Sequence, residues 1–260
     1  MGIINVTPDS FYDGGNNNSI QAAINQVEKH LEEGAIVIDI GGYSSRPGAD
    51  EVTEKEELNR TIPVIEAVLM AFPDTIISID TFRSNVAKKA IEAGAAIIND
   101  ISAGDLDENM FSVVAEKQVP YIIMHMKGIP KTMQNNPNYT NIIQEIIYYL
   151  SKKIYTLRKK GVNDIIIDPG FGFGKTLEHN YEILGKLNNL QLLNAPVLAG
   201  ISRKSMTYKL LNTSPKESLN GTIAANIIAL QNGANILRVH DVKEAAECIK
   251  LDNRNLLRKN

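Results

Sequence analysis

Asn5, Asp39, Asp80, Asn99, His125, Asp168, Ser202 with Arg203 and Lys204, and Arg238 with His240 each stand at or just beyond the end of a short apolar run. Two kinds of chemistry are represented among them. Asn5, Arg238 and His240 offer a metal-compatible oxygen and donors for an anion, a set suited to a phosphate or pyrophosphate. Asp80, Asn99, Asp168 and Lys204 offer acceptors and donors suited to a flat heterocycle with a urea-like or guanidine-like edge, since a carboxylate that accepts two parallel N–H bonds reads such an edge. Each residue alone has a structural alternative. A strand-end Asp or Asn can cap its own turn, and Arg238 and His240 can pair with Asp241. Repetition at one apolar run after another is harder to explain by structure alone.

Other chemistries fail on the sequence. The stretch IIIDPGFGFGKT, residues 165–176, ends like a phosphate-cradling loop, but such a loop needs a glycine five positions before Gly174, and Pro169 stands there without an N–H. AGISRKS misses the nucleophile-elbow pattern because Lys204 takes its last glycine. No His, Cys and acid spacing matches a zinc site, and His30 and His179 fall in helical stretches as surface or packing residues. The single cysteine, Cys248, excludes an intrachain disulfide and reads as a buried thiol in a reducing compartment.

With 27 basic and 30 acidic residues the net charge is −3, and the basic residues are scattered, so no nucleic-acid or membrane-surface partner is expected. Residues 218–237 carry no charge, yet Asn220, Asn226, Gln231, Asn232 and Asn235 would each need a partner in lipid. A buried helix running into a strand is expected there, and the chain, which lacks a recognisable signal peptide, reads as cytoplasmic.

The elements that must position these residues are legible as a repeat. EEGAIVIDI from Glu32, EAGAAIIND from Glu92, KKGVNDIIID from Lys159 and QNGANILRVH from Gln231 share one plan. A polar helix end meets a glycine, then a short β-branched run, then a polar residue. This is a helix stopped by a left-handed glycine cap and followed by a strand with no wet face. The glycines Gly34, Gly94, Gly161 and Gly233 lie 60, 67 and 72 residues apart, about two βα units each. The full pattern gives strands near 2–6, 36–40, 76–80, 97–101, 121–125, 165–168, 197–201 and 236–240. Amphipathic stretches alternate with them, such as SIQAAINQVEKHLEE with Ile20, Ala23, Ile24, Val27 and Leu31 apolar. Eight alternations in 260 residues, with no linker, predict one α/β domain over residues 1–260, a (β/α)8 TIM barrel whose active site lies at the C-terminal ends of the strands. A doubly wound dinucleotide fold would want a glycine fingerprint after its first strand, which here runs into NVTPDSF.

Taken together, MGIINVTPDSF, GGYSSRPGA, ISIDTF, IINDI, MHMKG, DPGFGFGK, GISRKS and RVHDV resemble the dihydropteroate synthases, a pterin-binding family, in that family's order from Met1 to Val242. The resemblance implies a transferase of folate biosynthesis that condenses 4-aminobenzoate with 6-hydroxymethyl-7,8-dihydropterin pyrophosphate, uses Mg²⁺, forms homodimers and is a sulfonamide target. Carried over by motif, Asp80, Asn99, Asp168, Phe173 and Lys204 would hold the pterin. Asn5 would meet Mg²⁺ and the pyrophosphate, and Arg238 and His240 would bind that anion. Phe11, Ser45, Arg46, Pro47 and Ser202 would form the aminobenzoate side, and Asp13, Arg46 and Lys204 would act in catalysis.

Two departures from the family accompany this. Tyr43 and Ser45 stand where an acid and a threonine are expected. The chain also starts almost inside its first strand, where relatives carry a segment closing the barrel floor, so a shortened chain or an open floor is expected. Competing readings are a pterin-binding methyltransferase, a Schiff-base aldolase built on Lys204, and a non-catalytic pterin binder.

Overall fold

The structure is a computed structural model, and it describes residues 1–6, 16–43, 52–128, 133, 134 and 136–256. The order of elements is β1 (Gly2–Asn5), α1 (Asn16–Glu32), β2 (Val37–Gly41), α2 (Glu54–Ala71), β3 (Ile76–Asp80), α3 (Ser84–Glu92), β4 (Ile97–Asp100), α4 (Met110–Lys117) and β5 (Tyr121–Met124). Then come α5 (Ile142–Lys159), β6 (Ile165–Asp168), α6 (Leu177–Gly185), β7 (Leu198–Ala199), α7 (Ser205–Tyr208), α8 (Leu219–Gln231), β8 (Ile236–Leu237) and α9 (Val242–Leu256). The eight strands fall within the eight expected segments to a residue or so, and β/α alternation carried through eight strands is the architecture of a (β/α)8 barrel. The uncharged stretch is, as expected, a helix running into a strand, α8 into β8. No helix among the described residues is long and apolar enough to cross a membrane.

The chain divides into two compact units, Met1–Ile123 with Lys153–Ile165, and Met124–Lys152 with Ile166–Asn260. The larger sheet is parallel in the order β1-β2-β3-β4-β5-β6, and β7 pairs in parallel with β8. Ile38, Ile40, Ile77, Ile79, Ile98, Ile122 and Ile123 are fully buried, as strands without a wet face require.

The four expected caps share one hydrogen-bond pattern. Gly34, Gly94, Gly161 and Gly233 have φ of 98°, 109°, 83° and 97°. In each case the glycine N–H bonds back three residues and the next N–H bonds back five, as in Gly34 N to Leu31 O at 3.0 Å and Ala35 N to His30 O at 2.8 Å. This pair of bonds satisfies two orphan carbonyls at the helix end and turns the chain into the following strand. In α1 the buried row is Ala23, Val27 and His30, so a histidine takes a core position, its Nε2 3.3 Å from Ile3 O of β1. Burial holds the His30 pKa below its usual value.

Candidate active site

In the first unit, strand register builds one row of strand ends. Asn5 pairs with Gly41, Gly41 with Asp80, and Asp80 with Asn99. In-register neighbours of a parallel sheet project to the same face, so Asn5, Asp80 and Asn99 share one. Between Asn5 and Asp80 the row has only Gly41, where an added Cβ would lie 3.4 Å from the Asp80 Cβ. Asn5 and Asp80 are half-buried and Asn99 is buried. Asn99 Nδ2 donates to Asp39 Oδ2 at 3.0 Å, which assigns the fully buried Asp39 as the partner that orients Asn99.

The next carboxylate, Asp100, is structural. It accepts from Ser102 N and Oγ at 2.7 Å, Gly104 N at 2.8 Å and Tyr121 Oη at 2.6 Å. Burial raises its pKa against those bonds.

At the exit of β2, Arg60 Nη1 donates to Gly42 O at 3.1 Å, and the Tyr43 ring meets Phe82 edge-on at 5.1 Å. Arg83 lies over Phe82 at 4.8 Å and pairs with the fully buried Glu57. Tyr43, a departure from the family, is therefore packed into a local cluster at the entrance to residues 44–51. Phe11, Asp13, Ser45, Arg46 and Pro47 lie outside the described residues.

In the second unit the chemistry gathers around Asp168. The carboxylate Oδ1 accepts from Gly170 N at 2.7 Å, so the Asp-Pro-Gly turn is capped as the structural alternative supposes. The other oxygen faces elsewhere. A Cβ placed on Gly200, just beyond β7, would lie 3.8 Å from Asp168 Oδ2 and 3.9 Å from Lys204 Nζ, so carboxylate and ammonium converge where a glycine leaves room. Burial raises the Asp168 pKa, opposed by Lys204, the Gly170 N–H, Lys175 and Arg238. Lys204 donates to Phe171 O and sits 4.6 Å from the centre of the Phe173 ring. Pterin candidates Asp168, Phe173 and Lys204 are thus brought together, with Arg238 close enough to be felt.

Ser202 and His240 are also joined. Ser202 Oγ accepts from His240 N at 3.2 Å and lies 3.1 Å from His240 Nδ1. With the hydroxyl proton given to Nδ1, the neutral ring carries its own proton on Nε2, the form that donates to an anion. Asp241, considered from sequence as the partner of Arg238 and His240, instead takes Arg203 in two bonds, 2.9 Å to Nε and 2.6 Å to Nη2.

Two buried residues exceed the sequence reading. Lys175 is 3% exposed, and its amine meets Phe173 O at 2.9 Å, His125 Nδ1 at 3.1 Å and His125 O at 3.2 Å. Burial lowers its pKa to about 7, Asp168 opposing and Lys204 assisting. His125, packed edge-on to Tyr149 at 5.1 Å, is pushed down to about 2 by burial and then by Lys175 and Lys127. Their sequence signal was only that Lys175 follows a glycine turn and His125 ends a strand. His179, expected as surface or packing, shares a capping box with Thr176 at the start of α6.

A family model for pterin-binding enzymes matches residues 1–240. The chain is 45% identical over 253 residues to the dihydropteroate synthase of Escherichia coli K12, covering 96% of this chain and 89% of that protein. It superposes on the Yersinia pestis dihydropteroate synthase in a sulfonamide drug complex with a TM-score of 0.91 at 42% identity, covering 98% of this chain and 92% of that one. The Xanthomonas albilineans dihydropteroate synthase with 4-aminobenzoic acid matches with a TM-score of 0.91 at 39% identity, over 98% and 92% of the two chains. A match of this extent, to a chain with a row of strand-end polar groups and with Asp168 and Lys204 converging over Gly200, places the chain in the pterin-binding enzyme family as a dihydropteroate synthase.

Proposed function

We propose that the chain joins 4-aminobenzoate to 6-hydroxymethyl-7,8-dihydropterin pyrophosphate, giving 7,8-dihydropteroate and pyrophosphate in folate biosynthesis. The observation that carries the reading is the convergence of Asp168 and Lys204 over Gly200, in a chain that matches dihydropteroate synthases almost end to end. The relatives' complexes with 4-aminobenzoic acid and with a sulfonamide drug support an aminobenzoate substrate and sensitivity to sulfonamides.

Asp168 and Lys204 hold the pterin in this reading, Asp80 and Asn99 add hydrogen bonds to it, and Phe173 offers a ring face. Phe11, Ser45, Arg46, Pro47 and Ser202 form the aminobenzoate side, with Asp13, Arg46 and Lys204 acting in catalysis. The C–O bond between the pterin methylene and pyrophosphate breaks, and its electron pair leaves with pyrophosphate. The aniline nitrogen forms the new C–N bond and releases one proton to solvent. Negative charge grows on the leaving oxygen, so preorganised cations and N–H donors there lower the barrier most. Arg238 and the Nε2–H of His240 are such groups. The aniline lone pair is already available at neutral pH, so no strong general base is needed early.

Mg²⁺ fits as the companion of the leaving group. Asn5 presents one hard oxygen donor at the half-buried end of β1, and among the described residues no three His, Cys, Asp or Glu side chains gather as a metal cluster. Mg²⁺ commonly takes substrate phosphate oxygens and water beside one or two protein oxygens, which suits a lone Asn oxygen. When bound, the ion supplies positive charge to the departing oxygens. The buried Cys248 thiol supports a cytoplasmic setting. The same family reading makes the protein a homodimer, checked by sedimentation at twice the 28.6 kDa chain mass.

The deciding experiment measures pyrophosphate release. It should depend on both substrates and on Mg²⁺. Tight pterin binding without release would leave a non-catalytic binder, and borohydride trapping of substrate on Lys204 would favour an aldolase.

A further inference from the structure

Two neighbouring ties join the segment after β7 to the segment after β8. Ser202 meets His240 through Oγ, 3.1 Å from Nδ1 and 3.2 Å from the backbone N. One residue further along both segments, Arg203 grips Asp241 with Nε at 2.9 Å from Oδ2 and Nη2 at 2.6 Å from Oδ1. Arg203 has a φ of 55°, a conformation that side chains other than glycine seldom adopt. Contacts outside the turn hold it there, including Arg203 N to Thr222 Oγ1 at 3.2 Å. A two-bond guanidinium–carboxylate fork fixes distance and orientation together, which a single bond does not. Both Asp241 oxygens take part in the fork, and Arg203 Nη1 turns to Pro215 O at 3.5 Å, so the pair faces itself and the local backbone. Lys204 follows it on one segment, and Arg238 and His240 precede Asp241 on the other.

We propose that Arg203 and Asp241 are positioning residues for the pterin pyrophosphate substrate. Their fork sets the spacing between the Lys204 amine, which holds the pterin, and Arg238 with His240, which hold its pyrophosphate. The proposal rests on that assignment of the substrate-holding groups. The substrate carries both parts on one methylene, so both grips must close at their correct separation. An error in spacing forfeits the advantage of linking the two parts. A ligand with only one of the parts does not sense the spacing.

The test is calorimetric binding of three probes, namely the pterin pyrophosphate, 6-hydroxymethylpterin and inorganic pyrophosphate. It compares the unmodified protein with Arg203→Gly and Asp241→Asn. Arg203→Gly is the more informative variant because glycine adopts the left-handed turn without strain, so it removes the fork and spares the turn. It also keeps the test open if Asp241→Asn fails to fold. The linked substrate should bind at least about tenfold more weakly to the variants, about 1.4 kcal/mol, with each one-part probe within about twofold. In steady state, KM for the pterin pyrophosphate should rise while KM for 4-aminobenzoate stays put. Equal losses for all three probes, or no loss for the linked one, would overturn the proposal. Lys204→Met and Arg238→Ala serve as controls. If the first leaves pterin binding intact and the second leaves pyrophosphate binding intact, the assignment of the holding groups falls, and the positioning role falls with it.

Discussion

The two oxygens of Asp168 face different surroundings, so the role proposed for it in holding the pterin is separable from its role in the turn. Oδ1 caps the Gly170 N–H, and Oδ2 faces the space over Gly200. Asp168→Asn can keep its amide oxygen on Gly170 and must then present an NH₂ where Oδ2 stood. The variant should melt near the wild-type temperature but bind the pterin more weakly by roughly 2 to 4 kcal/mol in calorimetry, since a donor then faces a donor. A lower melting temperature with unchanged affinity would confine Asp168 to its turn. His125 gives a prediction in pH. Its folded pKa of about 2 lies below the ordinary 6.5, so as pH falls below 6.5 the unfolded chain takes up a proton that the folded chain refuses. Stability from this group is complete above pH 6.5 and is lost as pH falls toward 2. His125→Asn keeps an acceptor for Lys175 but does not titrate. Between pH 7 and pH 5 the wild type should lose roughly 2 kcal/mol relative to the variant in urea unfolding, and parallel pH profiles would refute the assignment.

Glycine serves the elements in two ways that substitution separates. At Gly161, which caps α5 with φ of 83°, an added Cβ meets nothing within 4 Å, so only backbone strain opposes a side chain. Gly161→Ala should cost about 1 to 2 kcal/mol. At Gly170, with φ of 73°, the Cβ would run into the carbonyl oxygen of His125, a backbone atom just past the end of β5. Here strain and collision add, and the turn that caps Asp168 must move. Gly170→Ala should cost at least about 3 kcal/mol and weaken pterin binding, whereas Gly161→Ala should leave binding unchanged. Equal costs in denaturant unfolding would mean that the Asp-Pro-Gly turn is not packed against the His125 carbonyl. The Arg83–Glu57 pair beside Tyr43 is a second device at this scale. Glu57 is fully buried, so Arg83→Met would strand its charge and should destabilise by roughly 3 to 5 kcal/mol.

For the whole molecule the question is how two substrates meet in order. The aminobenzoate candidates Phe11, Asp13, Ser45, Arg46 and Pro47 fall in stretches of the sequence rich in Gly, Pro, Asp and Ser. If pyrophosphate with Mg²⁺ completes that site, a sulfonamide should bind weakly alone and at least about tenfold more tightly with both present, a coupling of about 1.4 kcal/mol. Arg46→Ala should abolish the coupling and leave pterin binding nearly intact. Equal sulfonamide affinity with and without pyrophosphate would mean a preformed site, and the Tyr43 and Ser45 departures would be the first place to seek the reason.

The elements and the order of the chemistry along them were legible in the sequence. Glycine caps, apolar runs and polar strand ends are local signals, written within ten residues, and the eight strands and four caps stand where those signals put them. The family was legible as well, because eight motifs in one order leave little freedom. Partnerships between distant segments were not legible. Asp241 pairs with Arg203 across 38 positions, Asp39 orients Asn99 across 60, and Lys175 buries its amine against His125 across 50. A carboxylate takes whichever cation the packing brings within reach, and a lysine leaves water only where backbone carbonyls replace its hydration. Those choices depend on distances that exist only after the strands have paired, so the tertiary structure decided them.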